Sequence, residues 1–149
     1  MKTPAAAEVL REHLQGLQQA RTSLRRAADR CPTVGSGPSF NADDLDAIEI
    51  LASRFSRTTD FLVNKVLRAL DRYEFEAEGS LIDVVNRAEQ RGLVETARLL
   101  REMKELRNEI VHEYLPDGLV ELREDLLNYT PQLLAIAQRT ADYAARLLR

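Results

Sequence analysis

The chain has 149 residues, and 21 Lys and Arg against 24 Asp and Glu give a formal charge of −3. That length is a prior for one domain, and folding at that size buries roughly 70% of the surface the unfolded chain exposes. The lone Cys31 excludes an internal disulfide, no Cys/His set has zinc-ligand spacing, and no apolar run approaches the roughly 18–20 residues of a membrane span.

Met1 to Leu10 lacks the basic start and long apolar stretch of a secretory leader, so a cytoplasmic location is expected. The mildly acidic balance argues against a broad nucleic-acid-binding face but leaves room for a small local one. Six glycines and five prolines are too few for the turns of a sandwich or barrel. No period-two alternation survives anywhere, so the expected class is all-α. The 21 basic residues include only three lysines, Lys2, Lys65 and Lys104. We read that bias as nucleotide composition, not as a sign of phosphate binding.

The first helix is expected from about Pro4 to Arg30, with Leu10, Leu14, Leu17, Leu24 and Ala28 on one side. Cys31 to Phe40 carries Pro32, Gly35, Gly37 and Pro38 and reads as a Pro/Gly/Ser loop within a single domain, 1–149. Asn41 offers an N-cap to a second helix from about Ala42 to Tyr73, roughly 45 Å long. Its apolar stripe is Ile48, Leu51, Phe55, Leu62, Val66, Ala69 and Tyr73. Ser80 and Asp83 have the spacing of a capping box and open a short third helix that stops near Gly92. A fourth is expected from about Val94 to Tyr114, with Leu99, Met103, Leu106 and Ile110 inward. Pro116, Asp117 and Gly118 end it. The last segment runs from Leu119 to the end. Pro131, preceded by Thr130 as a cap, predicts a kink there, or two helices, Leu119–Asn128 and Pro131–Leu148. The expected architecture is an up-and-down bundle of four long helical units and a short one.

Only two histidines are present. His13 lies in a helix rich in Arg and Gln and reads as a surface residue. His112 lies in Arg107-Asn108-Glu109-Ile110-Val111-His112-Glu113-Tyr114, at a helix end beside a break, where a side chain is accessible. Asn108 and His112 are four apart and share a face, so the amide is placed to orient the imidazole. P-loop and Rossmann glycine patterns are absent.

This segment resembles the R-x4-H-x-Y signature of HEPN-domain proteins, and in particular the HepT-like toxins of the HEPN/MNT toxin–antitoxin systems. Asn108 directly after Arg107 matches the R-N-x-x-x-H form. The order and lengths of the expected helices resemble that family over the whole chain, and the motif match covers about eight residues. The resemblance implies a homodimer acting as a metal-independent endoribonuclease, with no cofactor and no metal. Arg107 and His112 of both copies would share one cleft at the two-fold axis. Arg107 would hold phosphate and stabilise the transition state, and His112 would act as acid and base. Asn108 would support the site. Tyr114 matches the tyrosine that a nucleotidyltransferase antitoxin of MNT type adenylylates, which would switch the toxin off in a type VII-like system.

The alternatives are a non-catalytic nucleotide- or partner-binding subunit of a minimal nucleotidyltransferase, and a plain helical scaffold. Glu105, Glu109 and Glu113 flank the motif and oppose phosphate binding unless they point away. Arg98, Arg101 and Lys104, with Arg54 and Arg57 on the second helix, are the compensating cations.

Overall fold

The computed structural model describes residues 3–32, 40–74, 76–113 and 115–149. Residues 33–39 of the expected loop, and Tyr114 of the motif, lie outside them. The regular structure of the described residues is all helical, with no strand. Helix α1 is Pro4–Arg30, α2 is Ala42–Asp60, and α3 is Arg68–Tyr73. Between α2 and α3 the chain stays helical, but Phe61–Leu67 is wound as a π-helix. Helix α4 is Leu81–Gln90, α5 is Ala97–His112, and α6 is Pro116–Leu147. This is an all-α bundle of five helical units. Helix α2 is its centre, packed against α1, α5 and α6.

The caps explain where the helices start. Thr3 Oγ1 accepts from the Ala6 N–H at 3.0 Å. Asn41 and Asp44 form a reciprocal capping box, as do Ser80 and Asp83. The backbone and side-chain hydrogen bonds from Ser80 hold the Asp83 carboxyl below its ordinary range. Gly92 closes the turn after α4 with φ +78°, a left-handed conformation that costs a non-glycine residue about 1–2 kcal/mol.

Three boundaries differ from expectation. Helix α5 begins at Ala97, because Thr96 supplies the cap while Leu93 and Val94 are spent in the buried turn before it. Pro116 opens α6; it does not merely end α5. No break occurs at Pro131: α6 is one continuous helix of 32 residues. Its missing N–H deprives the Leu127 carbonyl of a partner, yet buried Leu126, Leu133, Ile136 and Ala137 on either side hold the helix to the core. Thr130 is not a cap; its hydroxyl is buried without a partner.

The expected stripes largely form the core. Leu10, Leu17, Leu24, Ile48, Leu51, Phe55, Leu62 and Val66 are all fully buried. Leu14 and Leu99 are only half-buried, and Leu100 takes the inward place on α5. The ends of the first interhelical connection are pinned to α6. Arg123 donates to the Pro32 carbonyl at 2.8 Å and lies over the Phe40 ring at 5.0 Å.

A buried ionic network ties α3 to α4 and α6. Asp71, 4% exposed, accepts from Arg91 at 2.7 Å and Arg87 at 3.1 Å. Arg91 also reaches Glu74, which accepts from the Tyr143 hydroxyl at 2.9 Å. Burial pulls the Arg91 pKa down, but Asp71 and Glu74 reverse this and raise it overall. Removing one member strands buried charge, which typically costs about 3–5 kcal/mol. Asp71→Ala is therefore expected to lower the melting temperature by roughly 10 °C in a circular-dichroism melt. An unchanged melt would show that the network adds nothing net.

Candidate functional site

The motif occupies the last turns of α5. Leu100, Met103, Leu106 and Ile110 face the core at steps of three and four. That registration forces Glu105, Asn108, Glu109 and His112 onto the exposed side. Arg107 falls between the two faces, with its side chain 30% exposed.

Arg107 is held by a residue from another helix. Its Nε donates to Asp60 Oδ2 at 2.9 Å, and its Nη2 lies 2.8 Å from the same oxygen. Lys104 Nζ takes the other oxygen, Oδ1, at 2.9 Å. Asp60 is the last residue of α2, immediately before the π-helical segment. Two cations on one carboxylate leave one positive charge on this cluster. The partly buried setting makes these charge-assisted bonds stronger than exposed pairs.

Asn108 does not orient His112. Its side-chain oxygen instead accepts from Arg107 Nη1 at 3.3 Å. The His112 ring is exposed and makes no hydrogen bond to a described residue. Arg107 and His112 are five apart, which puts them about 140° apart around the helix and about 7.5 Å apart along it. One chain therefore presents them on different sides of α5.

The flanking charges sort themselves. A Cβ placed on Gly118 would overlap the Glu113 carboxylate, so that group lies against the first turn of α6, where a helix favours negative charge. Glu105 and Glu109 are exposed. Of the compensating cations, Lys104 is spent on Asp60 and Arg98 pairs with Glu102 at 3.2 Å. Arg54 donates to the Ser23 carbonyl at 2.9 Å, while Arg101 and Arg57 are exposed. Among the described residues, no group of three or more His, Cys, Asp or Glu side chains is arranged to hold a metal ion. No helix there is long and apolar enough to cross a membrane.

Two residues carry more than their sequence context suggests. Asp60 reads as one polar position among several, and only the packing of α2 on α5 reveals its role. His13 is not a plain surface residue: it is half-buried, its ring edge-on to Phe61 at 5.9 Å between centroids.

Asp60→Ala leaves Arg107 and Lys104 without their carboxylate. We expect a loss of about 1–2 kcal/mol in urea unfolding, given the partial exposure of the pair. Nitrogen-resolved NMR should show the Arg107 Nε–H exchanging much faster. A protected Nε–H in the variant would mean that Asp60 does not hold the guanidinium. Compared with known proteins, the chain significantly matches no family model, no curated protein and no solved structure.

Proposed function

We propose that the chain is a metal-independent endoribonuclease, the toxin of a type VII-like toxin–antitoxin pair, with its active site composed across a homodimer. The observation that carries this reading is the exposed end of α5. It presents the Arg107-Asn108-x-x-x-His112 motif with the guanidinium braced by Asp60 and the imidazole uncommitted.

RNA cleavage without metal needs a base for the 2′-hydroxyl, an acid for the leaving 5′-oxygen, and positive charge on the phosphate. One chain offers one imidazole at this site. Two copies about a two-fold axis offer two His112 and two Arg107. One His112 takes the 2′-proton as the 2′-oxygen attacks phosphorus. The other gives a proton to the departing 5′-oxygen, and the arginines hold the phosphate oxygens. The bracing of Arg107 supports this, since a preorganised cation needs no reorganisation as charge develops.

The apolar surface beside the motif supports a second copy. Val111 is 47% exposed and Leu115 is 67% exposed, on either side of His112 in the chain. Large apolar side chains that project next to a polar site suit an interface. Tyr114 is the proposed site of control. Adenylylation by a nucleotidyltransferase antitoxin would add bulk and negative phosphate two residues from His112, repelling RNA.

Purified protein is expected to cleave RNA with EDTA present. Arg107→Ala and His112→Ala should each lower the rate about 10²-fold or more. Unchanged cleavage in either variant would remove that residue from the mechanism. Nucleotide binding with no cleavage at all would favour a non-catalytic subunit. The paired change Val111→Asp and Leu115→Asp should yield a folded monomer by light scattering, with cleavage lost. An active monomer would sink the composite site.

A further inference from the structure

A cavity of about 330 Å³ lies between α1 and α2, outside the motif. Gly16, Ala20 and the Phe61 ring form its apolar part, and its polar part includes Arg54 and Arg57 beside Gln19, Ser23 and Thr58. A Cβ on Gly16 would overlap the Phe61 ring, so glycine is what allows the ring to lie across α1 at this point. His13 meets that ring edge-on and helps fix it.

The charge of this cavity is one-sided. Two arginines line it and no Asp or Glu does. Arg54 is aimed by its bond to the Ser23 carbonyl, which leaves its charge uncancelled. Arg57 has no carboxylate within 4.0 Å among the described residues. The nearest acid in sequence, Asp60, is occupied by Lys104 and Arg107 from α5. Paired arginines suit phosphate, and an aromatic wall suits the flat face of a base. The volume lies in the range of small-ligand sites.

We propose that this cavity binds a nucleoside phosphate, with the phosphate on Arg54 and Arg57 and the base against Phe61. Free nucleotides and nucleotide units of an RNA strand share that chemistry. If the ribonuclease reading holds, the strand is the natural source, because Phe61 directly follows Asp60, the residue that braces Arg107. The cavity stands without that reading, since it contains no motif residue.

The test is an NMR titration of the His112→Ala protein with adenosine 5′-monophosphate, uridine 5′-monophosphate, inorganic phosphate and a ten-nucleotide RNA. The nucleotides or the RNA should shift the Phe61 ring and Arg57 Nε signals saturably, and phosphate alone should bind more weakly. Arg57→Gln, at an exposed position, should weaken binding at least about tenfold. Ala20→Leu fills the cavity without altering charge and should abolish binding. A response to free nucleotide supports a small-molecule site, and a response to RNA alone supports a strand subsite. The proposal is overturned if no probe saturates, if Phe61 does not respond, or if Arg57→Gln binds like the parent. Persisting nucleotide binding while the parent protein, with His112 intact, cleaves no RNA would overturn only the ribonuclease reading.

Discussion

The Asp60 carboxylate is the constraint on which the motif end of the molecule depends. It joins the end of α2 to α5 by taking Arg107 on one oxygen and Lys104 on the other. A guanidinium with four rotatable stem bonds would otherwise sample many positions and lose entropy on binding anything. Here that loss is taken during folding. The same contact leaves Arg107 partly exposed, in a cluster that still carries one net positive charge.

The position of Asp60 comes from the central helix. Residues 42–73 form one helical run, and the π-helical stretch changes its winding just after Asp60. With wider turns, Leu62 and Val63 and then Val66 and Leu67 are buried as adjacent pairs. The change of winding separates two contacts made in opposite directions. Asp60 serves α5, while Phe61 faces α1 and closes the cavity beside Gly16.

The far end of the bundle is locked differently. Asp71, Arg87, Arg91, Glu74 and Tyr143 connect α3, α4 and α6 through charge-assisted bonds. Buried ion pairs are poor sources of net stability, but losing one partner strands the other's charge and is costly. This network therefore fixes how α4 sits on the bundle, and with it the turn that leads through Thr96 into α5.

Most of the helical content was legible because apolar residues recur at steps of three and four, and because Asn41, Ser80 and Gly92 carry cap and stop chemistry that acts locally. The motif was legible as a string, with Asn108 and His112 on one face. The choice at Pro131 between one helix and two was not, because a proline's local penalty is outweighed by apolar contacts on both sides of it. Neither the π winding nor the Asp60 brace could be read, since each depends on which residues of α1 and α5 press against α2. Sequence by itself determined the elements and the residue types at the end of α5, through short-range backbone and side-chain preferences. Tertiary structure alone decided that Arg107 is held, that Asn108 serves Arg107 and not His112, and that Arg54 and Arg57 share a cavity with Phe61. The Arg107–Asp60 bond joins residues 47 positions apart and the Arg54–Ser23 bond residues 31 apart, and no local preference encodes either.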